Sequence, residues 1–144
     1  MKKTLVAVLL ALVSLTLAEA KQRKAEDPVL QFNENGKFKI VQFTDTHLGY
    51  NNRPAFDKSV EMITSIVKTE KPDLVIFTGD IVTGAPMKQG LDNLFAPLDE
   101  MGVPFMLLLG NHDREDELPA WEIAKIATSH KSSINTMSQD YLDD

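Results

Sequence analysis

Three short runs, residues 38–43, 74–77 and 103–109, are largely Phe, Ile, Val and Leu, and each gives way at once to a polar cluster. Runs of this length and composition suit buried strands rather than helices. The stretches between them have helical spacing. Phe56, Val60, Ile63, Ile66 and Val67 mark a helix over 53–70, with Pro54 in its first turn and Lys71-Pro72 as its stop. Leu91, Leu94, Phe95 and Leu98 mark a second over 87–101, capped by Gly102 and with Pro97 placed to kink or split it. Trp121, Ile123, Ile126 and Ala127 mark a third over 118–129. Ahead of these, 29–32 and 37–43 flank Asn33-Glu34-Asn35-Gly36, a strong turn signal that predicts a β-hairpin. The order is β-β-α-β-α-β-α. Strands joined through helices pair in parallel, and strands this apolar call for helices on both faces of the sheet.

The polar clusters are Asp45-Thr46-His47, Gly79-Asp80 and Gly110-Asn111-His112-Asp113. They fall at the carboxyl ends of three successive strands, the edge where open α/β sheets bind ligands. Carboxylate, imidazole and amide oxygen together make a mixed N/O site suited to Zn, Fe or Mn. On an extended segment Asp45 and His47 point the same way, and Thr46 points away. Each cluster alone is a weak signal and reads more readily as turn or surface residues; three in this order, after three buried strands, are specific.

The chain has 144 residues, enough for one domain. Lys2 and Lys3, the apolar stretch 5–17 and Ala18-Glu19-Ala20 form a signal-peptide pattern, with Lys21 as the first mature residue. The apolar stretch is shorter than the ~20 residues of a spanning helix, so the expectation is an exported protein, periplasmic or extracellular, with no stable membrane anchor after cleavage. Residues 21–28 read as a linker and 29–144 as the domain. With no cysteine there are no disulfides, thiolate metal sites or cysteine nucleophiles. A net charge of −6 without a basic cluster disfavours nucleic acid as a partner.

The three motifs together resemble the calcineurin-like metallophosphoesterases, and the segment 38–45 is most similar to exported members related to purple acid phosphatases. The resemblance runs over 37–135. It implies the N-terminal half of a four-layer α/β/β/α sandwich. It also implies hydrolysis of phosphoric esters, in a phosphorylated small molecule or protein, by two divalent or trivalent metal ions (Mn, Fe or Zn). Asp45 and His47 match ligands of the first ion, Asp80 the carboxylate bridging both, and Asn111 a ligand of the second. His112 matches the histidine that contacts the phosphoryl group or protonates the leaving oxygen. Asp113 matches a residue that orients that imidazole.

Two departures stand out. Thr83 occupies the place of the tyrosine that colours purple acid phosphatases, so no ferric-tyrosinate site is expected. The family's later histidine ligands, the last in a Gly-His-x-His motif, have no match. His130 is the one other histidine, and its neighbours Ser129, Lys131 and Ser132 suggest a solvated side chain. The chain thus reads as a truncated domain or half of a split protein, with an inactive metal- or phosphate-binding fragment as the alternative.

Overall fold

The computed structural model describes residues 30–115 and 117–137. The expected signal peptide (1–20), the whole expected linker (21–28) and residues 29, 116 and 138–144 of the expected domain lie outside the described residues. In chain order the elements are β1 (Ile40–Phe43), β2 (Leu48–Gly49), α1 (Arg53–Glu70), β3 (Leu74–Thr78), β4 (Val82–Thr83), α2 (Met87–Met101), β5 (Phe105–Leu108), a 3-10 turn (His112–Arg114) and α3 (Ala120–Ser129). The main sheet has the order β1-β3-β5 and is parallel throughout; β2 and β4 form a second, two-stranded parallel sheet.

Helices α1 and α2 begin and end where periodicity and capping residues place them. Pro54 sits in the first turn of α1, and Lys71 closes the helix in a left-handed conformation, its N–H on the Val67 carbonyl. Gly102 ends α2 at φ 65°, where the absence of Cβ removes the steric cost. Pro97 does not split α2. It removes a single donor, to the carbonyl of exposed Asn93, while Leu94, Phe95 and Leu98 hold the helix to the core. Helix α3 starts at Ala120, two residues later than expected, because Pro119 disfavours helical backbone at Leu118. The first N–H of α2, on Met87, is satisfied from a distance by Glu117 Oε2 at 2.8 Å.

The predicted hairpin is corrected. Its turn forms: Asn33 Oδ1 accepts the N–H groups of Asn35 and Lys37, and Gly36 takes φ 69°. Leu30 to Phe32 form no strand, however, and β1 takes its partner from β3. The turn signal is local, whereas a strand needs a ladder partner.

Two-sided helical cover is also corrected. Residues of α1, α2 and α3 join Val75, Phe77, Phe105 and Leu107 in one core cluster, with Phe43 packed against it. Strand side chains alternate between faces. The opposite face therefore carries Ile40, Ile76, Met106 and Leu108, and Ile40 and Leu108 are half exposed. Among the described residues this is one helical layer on one sheet, half of an α/β/β/α sandwich. An apolar run says that a strand is buried, not from which side.

The edge beyond β5 is not open along its length. Phe105 N–H donates to Ser132 O, and Ile134 N–H to Phe105 O. The Asn135 side-chain amide then stands in for a peptide, accepting from Leu107 N–H and donating to Leu107 O, both at 2.8 Å. His130 is part of this closure and is not solvated. Its side chain is only 11 % exposed, with Nδ1 2.8 Å from Asp99 Oδ2 and the ring edge-on to Phe95. Burial alone would raise the Asp99 carboxyl, but hydrogen bonds from His130 and from the Ser132 N–H outweigh it and hold Asp99 below the ordinary carboxylate value.

Candidate metal centre

The chain leaves β1 and β3 without ending their pairing. Ile40 pairs with Leu74 and, beyond the sheet, Leu48 with Val82, both 34 residues apart. The register therefore survives a kink between the two sheets. Across the kink Asp45 N–H donates to Gly79 O, His47 N–H to Asp80 O, and Leu48 N–H to Ile81 O, at 2.8–3.0 Å. The Thr46 hydroxyl donates to Ile81 O, which turns that side chain away from its neighbours.

The kink is built from left-handed residues. Asp45, His47 and Asp80 have φ of 51°, 44° and 54°, beside Gly79 at 94°. For a residue with a Cβ this conformation costs about 1–2 kcal/mol. The only other such non-glycine residue described, Lys71, is a helix cap. The expectation that Asp45 and His47 share a direction because they lie on an extended segment is corrected: they converge because both are left-handed. One ligand atom from each of Asp45, His47 and Asp80 lies within 4.8 Å of the others. Asp45 and His47 are exposed and Asp80 is buried. The Thr44 hydroxyl donates to Asp45 Oδ2, fixing that carboxylate from outside.

The loop after β5 is locked onto this kink. Asp113 is almost fully buried. Its Oδ2 accepts the N–H groups of Asp80 (2.7 Å) and Gly110 (2.8 Å), and its Oδ1 accepts that of Ile81 (2.8 Å). In return Asp80 Oδ1 accepts the His112 N–H at 2.9 Å. The two loops approach too closely for side chains. A Cβ on Gly79 would lie 2.9 Å from Gly110 Cα, and one on Gly110 would lie 2.2 Å from Asp80 Oδ1.

The expected role of Asp113 is thereby corrected. Both its oxygens serve backbone N–H groups, and it is a clamp between strand ends. The partner of the His112 ring is Glu115, whose Oε2 faces Nδ1. That hydrogen bond and the glutamate's negative charge raise the His112 pKa above the ordinary histidine value. The His112 ring centroid lies 5.5 Å from that of His47, at the same edge. Asn111 precedes His112 on the exposed side of this loop. Glu115 escaped the sequence reading because only the 3-10 turn, closed by Glu115 N–H on His112 O, brings a carboxylate three residues on back to the ring. An acidic residue at that spacing was the one available signal.

The calcineurin-like phosphoesterase family model matches residues 38–142. The chain belongs to this family. Among curated relatives, it is 29 % identical over 126 residues to "Probable inactive purple acid phosphatase 14" of Arabidopsis thaliana, covering 76 % of this chain and 31 % of that protein. It is 33 % identical over 115 residues to "Phosphatase DCR2" of Saccharomyces cerevisiae, covering 69 % and 20 % respectively. It is 32 % identical over 139 residues to "Probable inactive purple acid phosphatase 29" of Arabidopsis thaliana, covering 85 % and 33 %. The chain thus spans a third or less of the length of these relatives. Its parallel sheets and single helical layer are consistent with the N-terminal part of the metallophosphoesterase fold.

The family's use of metal ions fits the residues present. Two carboxylates and an imidazole converge on one point, a donor set suited to borderline and hard divalent ions. The strained backbone around them has no packing role to explain it, since Asp45 and His47 are exposed. No helix among the described residues is long and apolar enough to cross a membrane.

Proposed function

We propose that this chain carries the metal-binding edge of an exported phosphoric ester hydrolase. The observation that carries the reading is the convergence of Asp45, His47 and Asp80 on left-handed backbone at the carboxyl ends of parallel strands. Asp45, His47 and Asp80 would hold a first ion, and Asp80 with the Asn111 amide oxygen a second. Such ions, Mn, Fe or Zn, would supply Lewis acidity toward the phosphoryl oxygens. Asp80 is suited to the bridging position because its backbone is held from both sides, by His47 N–H on its carbonyl and by Asp113 on its N–H. His112 reaches the same edge without joining the convergent group. It would bind the phosphoryl group or hand its ring proton to the leaving oxygen. The substrate is a phosphorylated small molecule or protein.

A second reading is a metal- or phosphate-binding chain without turnover. It is favoured by the burial of His130 against Phe95, which leaves His47 and His112 as the histidines at the edge. Relatives are also named "probable inactive". Metal content after dialysis against Mn or Zn, measured beside hydrolysis of nitrophenyl phosphate and bis-nitrophenyl phosphate, tests the choice. Metal-dependent turnover abolished by Asp80→Asn supports the hydrolase. Bound metal or bound inorganic phosphate with no turnover supports the second reading, and binding of neither metal nor inorganic phosphate defeats both.

A further inference from the structure

We infer that Glu115 is the positioning residue of His112, holding a proton on Nδ1 so that Nε2 is the nitrogen presented to the metal edge. The inference rests on the proposed function above and names which carboxylate serves it.

The carboxylate next to the histidine in sequence is Asp113, and it is fully engaged. Three backbone N–H groups, from Asp80, Ile81 and Gly110, occupy its two oxygens in a buried setting. Glu115 is the carboxylate that faces the ring, with Oε2 in hydrogen-bond contact with Nδ1. The contact is built by the backbone. The 3-10 turn His112–Arg114 closes with Glu115 N–H on His112 O at 3.2 Å, which brings residue i+3 over residue i. The histidine is thus held at two points: its own N–H on Asp80 Oδ1, and its ring on Glu115.

A neutral imidazole carries one proton, and the hydrogen bond made by one nitrogen selects which. A carboxylate has no proton to give at neutral pH, so it draws the N–H to the nitrogen it faces. With Nδ1–H bound to Glu115, Nε2 lies on the side of the ring away from Glu115, and the ring itself stands 5.5 Å from that of His47, centroid to centroid. When the ring carries both protons, only the one on Nε2 is free to pass to a leaving oxygen as the P–O bond breaks. The Nδ1 proton stays on the ring.

Ring-nitrogen NMR of the full protein, metal-free and at alkaline pH where His112 is neutral, reads the tautomer directly. The wild type should show the Nδ1–H form. Glu115→Gln should keep it, because the amide oxygen still accepts. Glu115→Ala should move His112 toward the Nε2–H form. An Nε2–H wild type, or a spectrum unchanged in Glu115→Ala, would overturn the inference. With Mn or Zn added, Glu115→Ala should lower kcat on phenyl phosphate by about 10–100-fold with KM unchanged, and Glu115→Gln should restore most of it. Wild-type kcat in Glu115→Ala overturns the positioning role. A tautomer that moves as expected in a protein with no turnover overturns the hydrolase reading and leaves the placement of the ring standing.

Discussion

The helix-covered face of the sheet and its carboxyl edge obey opposite rules. On the covered face, Phe77, Phe95 and Phe105 are fully buried, and the last two stack at 4.4 Å. Hydrophobic burial is non-directional, so this region follows from apolar residues at the right period. At the edge, three non-glycine residues take left-handed backbone and two of these three candidate ligands are exposed. Apolar packing anchors only its far side, through the buried Leu48, Ile81 and Val82. The ligand-bearing side is held by hydrogen bonds that cross from one strand end to the next, chiefly those of Asp113. The difference teaches that a buried carboxylate can hold the geometry of a candidate metal site while spending both its oxygens on backbone N–H groups.

The largest effect should come from the covered face. Phe105→Ala removes a ring packed on Phe95, Phe77 and His130 and should destabilise by about 3–5 kcal/mol. In the fraction that stays folded, metal affinity should be unchanged. Denaturant titration beside metal titration checks both, and a parallel loss of affinity would mean that the two regions are coupled.

Asp113→Ala should destabilise by about 3 kcal/mol, because three backbone N–H groups lose their acceptor. Here metal affinity should fall with stability, since Asp80 loses the bond that sets its backbone. If Asp113→Ala instead lowered turnover with stability and affinity intact, Asp113 would be an orienting residue after all.

Asp99 offers a pH test away from the site. Its folded pKa lies below the unfolded value, so its contribution is present above the ordinary carboxylate range and is lost as pH falls through the folded pKa. Asp99→Asn should therefore cost about 1–2 kcal/mol at pH ~6, and that cost should shrink as pH falls through the folded pKa of Asp99. A cost independent of pH would show that the packing of His130, not its partnership with Asp99, secures the end of α3.

The smallest stability change should come from the most drastic change of chemistry. His47→Gly removes an exposed ring and relieves left-handed strain. Stability should stay within about 1 kcal/mol of wild type or rise, while metal binding at the Asp45-Asp80 site weakens sharply. A clear destabilisation would mean that the His47 ring supports the kink rather than exploiting it.

Much of this molecule is legible in the amino-acid sequence. Helices α1 and α2, strands β1, β3 and β5, and the position of Asp45, His47 and Asp80 just after strand ends follow from short-range rules; β2, β4 and the left-handed kink that makes the three side chains converge do not. Period, capping residues and the polarity switch at strand ends act within a few residues and are written in the chain. The partner of β1, the one-sided placement of the helices, the burial of His130, and the exchange of roles between Asp113 and Glu115 were decided by tertiary structure. Each depends on which groups distant in sequence, or a turn apart in an unanticipated 3-10 turn, arrive at hydrogen-bonding distance. A sequence names the donors and acceptors at a site; only the folded chain determines which of them are already taken.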